Sequence, residues 1–170
     1  MARTRAKKPA RRKPGRVSAR RRVAARKPQP SRASARAPLL TGLTILVVED
    51  HEDTRLILRQ ALEAAGASVK LAQDGYEGLA ELAKPPQPDL ILCDLLMPAM
   101  DGLAFARRVH ADPTRAHTPI IAVTALGAAA DYIRTWSHGF QGHLVKPVES
   151  DHLVDIIRRF LVDGRGFPRS

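Results

Sequence analysis

The fold of this chain is decided by the stretch Leu90-Ile91-Leu92-Cys93-Asp94, a continuous apolar run that ends at a carboxylate. Similar apolar runs occupy positions 45–48, 120–123 and 144–145, and a polar residue follows each of them. Short, continuous apolar runs are typical of strands that are buried on both faces of a parallel sheet. Positions 68–71 alternate between polar and apolar residues instead, which predicts a strand at the edge of that sheet.

Between these runs, apolar residues recur at the spacing of a helix with one buried face. Segment 127–137 is less periodic, and we predict a helix there whose buried face is formed by Tyr132, Ile133 and Trp136. Trp136 and Phe140 are candidates either for the core or for an apolar patch that binds a partner. The remaining stripes are Leu58, Ala61, Leu62 and Ala65; Tyr76, Leu79, Ala80 and Ala83; Leu103, Ala106 and Val109; and Leu153, Ile156, Ile157 and Phe160.

The strict alternation of five strands with five helices predicts an α/β fold. Crossover connections between parallel strands are right-handed, so the helices cover both faces of one sheet. We therefore expect a five-stranded doubly wound parallel sheet of the flavodoxin-like (βα)5 type, with strand order 2-1-3-4-5.

The charge of the chain is divided unevenly along its length. Of the 28 Lys and Arg residues, 15 lie within positions 1–40, where there is no Asp or Glu. The other 130 residues hold 13 basic and all 17 acidic residues, so this part carries about −4 and the tail +15. The tail contains almost no large apolar residue, and we expect it to be disordered.

Runs such as Arg11-Arg12-Lys13 and Arg20-Arg21-Arg22 indicate binding to the phosphate backbone of a nucleic acid. An anionic membrane and an acidic partner protein are alternatives, because each would attract the basic tail by its negative charge. A further alternative is that the tail is an upstream coding region that is not translated.

The cysteine content and the hydropathy of the chain limit where in the cell the protein can be located. Cys93 is the only cysteine, so no disulfide can form within the chain. No apolar stretch is long enough to cross a bilayer, and the N-terminus lacks the apolar core of a signal peptide. We expect a cytoplasmic protein with no membrane span.

Five polar residues stand at the ends of the predicted strands: Glu49, Asp50, Asp94, Thr124 and Lys146. The strand ends of a parallel sheet open at one edge, where ligands bind, so we expect these side chains to converge. Carboxylates held close together repel unless a cation relieves them. Hard oxygen ligands of this number favour Mg²⁺, although an acidic rim in contact with water alone is an alternative.

The whole set resembles the receiver domain of two-component response regulators, and in particular the single-domain, chemotaxis-regulator-like members. The separations of 44, 30 and 22 residues along Asp50, Asp94, Thr124 and Lys146 match the usual pattern of that family. Resemblance extends over about residues 43–161. It divides the chain into a basic tail (1–40), a receiver domain (41–164) and a short C-terminal tail (165–170). The pieces that carry it are Val47-Val48-Glu49-Asp50, positions 89–102, positions 119–125 and Lys146-Pro147.

The resemblance implies a role for each residue of the site. Asp94 would accept a phosphoryl group from a phosphohistidine on a sensor histidine kinase or a phosphotransfer protein. Mg²⁺ would be the cofactor, bound by Glu49, Asp50, Asp94 and the backbone carbonyl of Leu96. Thr124 and Lys146 would bind the phosphoryl group.

Pro147 would have a structural role, through a cis bond to Lys146. The family commonly carries Tyr or Phe three positions before the lysine, where it acts with Thr124 as a switch, but this chain has His143. Histidine is more polar and can change its charge near neutral pH, so switching could depend on pH. A half-exposed histidine with no switch role is the alternative.

Leu96 and Leu126 stand two positions after Asp94 and Thr124, where the family varies the lifetime of the phosphoryl group. Neither side chain can orient a water molecule. We therefore expect slow autodephosphorylation.

The expected function is that of a stand-alone receiver, since too few residues follow the last helix for an output domain. It would not be an enzyme beyond slow self-phosphorylation and autodephosphorylation, and it would signal to an unknown output protein through its last two helices and strand. One alternative is a nucleic-acid-associated protein whose basic tail binds DNA or RNA under receiver control. A phosphohydrolase fits less well, because Glu52 occupies the place of the second Asp that such enzymes carry.

Overall fold

A parallel five-stranded sheet forms the centre of the computed structural model, which describes residues 39–162. The strand order is β2-β1-β3-β4-β5, as predicted. In register, Val48 of β1 pairs with Ala72 of β2 on one side and with Cys93 of β3 on the other. The strands are Thr44–Val48 (β1), Ser68–Ala72 (β2), Leu90–Cys93 (β3), Ile120–Thr124 (β4) and Gly142–Val145 (β5).

A helix follows each strand, so the predicted alternation and fold class are confirmed. The last helix continues into a π-helical turn over Arg158–Val162. The predictions for residues 1–38 and 163–170 lie outside the described residues. The helices are Glu52–Ala64 (α1), Gly75–Leu82 (α2), Gly102–Ala111 (α3), Ala129–Ser137 (α4) and Ser150–Ile157 (α5).

Side chains alternate across the buried strands and so build two apolar layers. Leu46 and Val48 of β1 belong to the layer that contains Phe105 of α3. Ile45 and Val47 belong to the opposite layer, which contains residues of α1 and α5. This two-sided burial explains why β1 reads as a continuous apolar run.

The buried faces of α2 and α4 differ from the predicted ones. Tyr76 is 54% exposed, and α2 instead buries Gly75, Gly78 and Leu82. A Cβ atom at Gly78 would lie only 2.9 Å from the Phe105 ring, so α2 approaches the core through its glycines. The prediction from apolar spacing failed in α2 because glycine has no side chain and was not counted as part of a buried face.

In α4 the residue facing the core is Thr135, which is fully buried. The predicted buried face was wrong for Ile133 and Trp136, which are 67% and 43% exposed. Phe140, just after the helix, is buried, so the core interpretation holds for Phe140 but not for Trp136. The helix thus presents two large apolar side chains to solvent.

The packed part of the chain includes Leu40, the last residue that the sequence assigned to the basic tail. Its side chain is fully buried, and its amide donates to the carbonyl oxygen of Ala65 at the end of α1. The chain is therefore anchored before β1 begins. Among the helices of residues 39–162, none has the length and apolar character needed to cross a membrane.

Candidate functional site

Three carboxylates meet where β1 and β3 end. Glu49 and Asp50 follow β1, and Asp94 follows β3, which is the neighbouring strand. Each residue offers an oxygen atom, and these atoms all lie within 4.8 Å of one another. Glu49 and Asp94 are buried, whereas Asp50 is exposed. The predicted convergence of the acidic residues is thus present in the structure.

Lys146, at the end of β5, reaches across the sheet edge to two of these carboxylates. Its Nζ atom lies 2.5 Å from Asp94 Oδ2 and 2.6 Å from Glu49 Oε2. Its own backbone amide donates to the carbonyl oxygen of Thr124 at 2.9 Å, which joins the ends of β5 and β4. The peptide bond between Lys146 and Pro147 is cis, as the resemblance implied.

Burial and charge act in opposite directions on this pair. Burial raises the pKa of the Glu49 carboxyl group, although the nearby Lys146 acts to lower it. For Lys146, burial lowers the pKa of the ammonium group, but the contacts with Asp94 and Glu49 outweigh burial and raise it. The outcomes differ because two carboxylates act together on Lys146, whereas at Glu49 the neighbouring Asp94 carboxylate adds to the effect of burial.

The carboxylates suit a hard divalent cation. Glu49 Oε2 is buried, and its contact with Lys146 lacks the geometry of a hydrogen bond, so the atom keeps accepting capacity. Asp50 is open to solvent beside it. Carboxylate oxygens with room for water are the ligands that Mg²⁺ prefers. The donor set therefore fits Mg²⁺.

The Asp94 carboxylate is oriented from two sides. The backbone amide of Leu96 donates to Asp94 Oδ1 at 3.1 Å, while Lys146 binds Oδ2. The Leu96 side chain is 57% exposed beside the carboxylate. The backbone carbonyl of Leu96 belongs to the same residue as this amide. The resemblance assigned that carbonyl to the metal, and this role stays a prediction.

Gly102 is a site residue whose role the sequence did not reveal. A Cβ atom at this position would lie 2.2 Å from the carbonyl oxygen of Asp94. The neighbouring Asp101 caps α3 by accepting a hydrogen bond from the Ala104 amide at 2.6 Å. The start of α3 therefore packs directly against the backbone of the phosphoacceptor candidate.

Thr124 lies at the end of β4 and is fully buried. Its Oγ1 atom is 3.4 Å from the amide of Leu126, which places the hydroxyl group at the base of the loop that leads to α4. Leu126 is half-buried in that loop. The structure thus brings Thr124 to the same sheet edge as Lys146, through the backbone contact between them.

His143 is 6% exposed, so the alternative of a half-exposed strand histidine is wrong. Its Nε2 atom lies 2.7 Å from the carbonyl oxygen of Leu126, and its Nδ1 atom lies 3.2 Å from the Thr135 hydroxyl. The ring stacks on Tyr132 with 4.1 Å between centroids. His143 thereby connects β5, the loop after β4 and α4.

A basic residue outside the predicted set also reaches the site. Arg55 of α1 donates from Nη1 to the backbone carbonyl oxygens of Glu49 and Asp50. Its position six residues after Glu49 could have pointed to it, since one helical turn brings a long side chain back to the preceding loop. Glu52, by contrast, is exposed at the start of α1.

Comparison with known proteins identifies a family and several relatives that this chain resembles. The family model for the response regulator receiver domain matches residues 45–158. The DNA-binding dual master transcriptional regulator RpaA of Synechocystis sp. is 35% identical over 117 residues, which are 69% of this chain and 48% of RpaA. The chain thus spans about half the length of that protein.

Other relatives match over nearly their whole length. The polar-differentiation response regulator DivK of Brucella anthropi is 32% identical over 121 residues, which are 71% of this chain and 98% of DivK. Among solved structures, the chemotaxis protein CheY4 of Vibrio cholerae superposes with a TM-score of 0.65 and 31% identity. That alignment covers 69% of this chain and 97% of CheY4.

Proposed function

This chain belongs to the response regulator receiver family, and on that basis we propose that Asp94 accepts a phosphoryl group from a phosphohistidine. The donor would be a sensor histidine kinase or a phosphotransfer protein. The observation that carries the proposal is the position of Lys146, whose ammonium group lies within 2.6 Å of both Asp94 and Glu49. A cation held against the nucleophile can offset the charge of an incoming phosphoryl group.

In the proposed step, an oxygen atom of Asp94 attacks phosphorus while the bond from phosphorus to the histidine nitrogen breaks. The donor imidazole leaves in its neutral form after taking up a proton. The Leu96 amide binds Oδ1 and Lys146 binds Oδ2, so the carboxylate is held in a fixed orientation for this attack. Thr124 then hydrogen-bonds to the phosphoryl group.

Glu49, Asp50, Asp94 and the backbone carbonyl of Leu96 would hold Mg²⁺, which would supply positive charge to the equatorial oxygens of the transferring group. The chain provides binding and orientation for the transfer and the later hydrolysis. We therefore propose a phosphoacceptor and not a further enzymatic activity. The phosphohydrolase alternative gains no support, because the acidic cluster at this edge consists of Glu49, Asp50 and Asp94 and does not include Glu52.

The signal would leave through α4, β5 and α5. Ile133, Trp136 and Val145 are large apolar residues on this side that are exposed, and a groove beside them is bordered by Tyr132 and His152. Exposed apolar side chains beside the loop of the switch residues favour an output partner there. The match covers 98% of DivK, so at least one response regulator related to this chain has about the length of a single receiver.

The decisive experiment is incubation with Mg²⁺ and acetyl phosphate, followed by intact-mass spectrometry. The wild type should gain one phosphoryl group that hydroxylamine removes, as an acyl phosphate requires. Asp94→Asn should gain none. Asp112→Asn is the matched control, because Asp112 lies outside the site in the turn after α3 and should leave labelling unchanged. An unlabelled wild type, or equal labelling of Asp94→Asn, would refute the proposal.

A second function is favoured by the separation of charge along the chain. Positions 1–40 carry 15 basic and no acidic residues, which fits non-specific binding to a nucleic acid backbone. Affinity for duplex DNA should fall steeply with salt and weaken when Arg20, Arg21 and Arg22 are changed to Gln. A truncation should stop before Leu39, because Leu40 belongs to the core. Binding that is insensitive to salt or to these substitutions would exclude this function.

A further inference from the structure

Arg55 holds the backbone of the acidic pair from outside the sheet edge. Its Nη1 atom donates to the carbonyl oxygen of Glu49 at 2.6 Å and to that of Asp50 at 3.2 Å. Within residues 39–162, the contacts of Arg55 include no ion pair with a carboxylate. The guanidinium group therefore binds the peptide units that carry the two carboxylates, and not the carboxylates themselves.

These two peptide units lie between regular elements. The amide of Glu49 donates to the carbonyl oxygen of Ala72 as the last contact with β2, and α1 begins at Glu52. Backbone carbonyls outside a strand or helix need another donor, and Arg55 supplies one to both. Their orientation determines where the Glu49 and Asp50 side chains point. The His51 amide, which donates to Glu49 Oε1 at 3.3 Å, depends on the same turn.

We propose that Arg55 is a positioning residue for Mg²⁺, which fixes the Glu49-Asp50 turn without contacting the metal or the phosphoryl group. The inference rests on the proposed function, because it assumes that this acidic site binds Mg²⁺. Residues that orient metal ligands typically change metal affinity about 10- to 100-fold when they are removed. Arg55 would act in this way through the backbone.

The direction in which Mg²⁺ affinity changes on replacing Arg55 distinguishes a positioning role from an effect of its charge. Arg55 is a cation close to a cation site, so removing its charge alone would make Mg²⁺ bind more tightly. Loss of the two carbonyl contacts would instead leave the carboxylates poorly oriented and would weaken binding. A weaker Mg²⁺ affinity after removal of a positive charge is therefore the signature of positioning.

Isothermal titration calorimetry with Mg²⁺ would measure this affinity in four proteins: wild type, Arg55→Gln, Arg55→Lys and Arg59→Gln. We expect Arg55→Gln to bind Mg²⁺ about tenfold more weakly. Arg55→Lys should lie in between, because an ammonium group can donate to the carbonyls but lacks the planar fork of the guanidinium group. Arg59, one turn further along α1 and paired with Glu63, is the matched control and should leave the affinity unchanged.

Amide hydrogen exchange in metal-free protein gives a second readout that needs no activity. Exchange at His51 should become faster in Arg55→Gln and stay unchanged in Arg59→Gln, while the core strands stay protected in both. Equal or tighter Mg²⁺ binding by Arg55→Gln would overturn the proposal, and so would a wild type that binds no Mg²⁺.

The two proposals can fail separately. A wild type that binds Mg²⁺ but takes no phosphoryl group from acetyl phosphate would refute the phosphoacceptor function. In that case the Mg²⁺ affinities and the His51 exchange rates would still decide the role of Arg55.

Discussion

His143 donates a hydrogen bond from Nε2 to the carbonyl oxygen of Leu126 over 2.7 Å. A carbonyl oxygen only accepts, so Nε2 carries the proton in this contact. The Thr135 hydroxyl lies 3.2 Å from Nδ1 and can donate to it or accept from it. The fifth strand thus holds both the loop that follows Thr124 and the buried face of α4.

Replacing His143 with Phe should destabilise the fold. The ring could still stack on Tyr132, but the half-buried Leu126 carbonyl would lose its donor, and the Thr135 hydroxyl would keep only its hydrogen bond to Tyr132. We expect the free energy of unfolding, measured with urea, to fall by about 1–3 kcal/mol. His152→Phe, at an exposed position on α5, is the control and should change it little. An unchanged value for His143→Phe would mean that solvent replaces both contacts.

Trp136 should report phosphorylation through its fluorescence. It is the only tryptophan, its ring lies 6.5 Å from that of Tyr132, and Tyr132 stacks on His143. If the loop after Thr124 moves when Asp94 is phosphorylated, His143 should pass the change along this series of rings. Acetyl phosphate with Mg²⁺ should alter the emission of the wild type and not that of Asp94→Asn. A response that persists in His143→Ala would argue against a switch role for the histidine.

Glu49→Gln should change how stability depends on pH in metal-free protein. Burial raises the pKa of Glu49 in the folded protein. Protonation of this carboxyl group therefore stabilises the fold at pH values below 4.5, which is its ordinary pKa. That stabilisation is lost as pH rises through the raised value. In the presence of EDTA, Glu49→Gln should therefore be the more stable protein at pH 7, and its advantage should vanish as the pH falls below 4.5.

Addition of Mg²⁺ should reverse this order at pH 7. At a free concentration about ten times the dissociation constant, Mg²⁺ would stabilise the wild type by about 1.4 kcal/mol. Glu49→Gln lacks one carboxylate ligand and should gain less. Thermal unfolding with and without EDTA measures both effects, and equal gains in the two proteins would exclude Glu49 as a ligand.

Gly102→Ala should be strongly destabilising. The added Cβ atom would lie 2.2 Å from the Asp94 carbonyl oxygen, and neither partner is a flexible side chain. We expect a loss of about 3 kcal/mol in urea unfolding, together with slower labelling by acetyl phosphate. Gly127→Ala is the comparison, because the nearest neighbours of its Cβ atom would be the side-chain methyl groups of Val145, at 3.1 and 3.2 Å. A Gly102→Ala protein as stable as Gly127→Ala would contradict this close approach.

Leu96→Asn should shorten the lifetime of the phosphorylated protein. Position 96 lies beside the carboxylate, since its amide binds Asp94 Oδ1. An amide side chain can hold a water molecule for attack, whereas the leucine cannot. We expect hydrolysis to become about tenfold faster, equivalent to about 1.4 kcal/mol of barrier. Leu96→Met keeps the position apolar and should retain the slow rate in the same decay assay.

The fold and the acidic centre could be predicted because both depend on local pattern. Apolar runs followed by polar residues placed Asp94 and Lys146 at strand ends, and the alternation of elements placed those ends together. Arg55 was not predicted, although it lies only six residues after Glu49, because the apolar pattern does not show which backbone atoms a long side chain contacts. The same holds for Gly102, where only the packed structure shows how closely α3 approaches the Asp94 carbonyl.

The errors in the helices have a related cause. Apolar periodicity measures which side chains could be buried, not which face the neighbouring elements leave accessible. In α4 it favoured Ile133 and Trp136, but the core accepts Thr135, whose hydroxyl is satisfied by Tyr132 and His143. The candidate switch position of His143 was recognised from the family pattern, while its hydrogen bonds to Leu126 and Thr135 depend on how β5 packs against the loop after β4 and against α4.

The buried Leu40 and the carboxylate of Asp94 lie at opposite edges of the sheet. The Leu40 amide binds the end of α1, so the chain enters the fold at the amino-terminal side of β1, whereas Asp94 lies beyond the carboxyl ends of the strands. The length of a five-residue strand, about 16 Å, lies between these two levels. A truncated protein that begins at Leu39 would therefore keep the buried contact at one edge of the sheet while leaving the acidic cluster at the opposite edge unchanged.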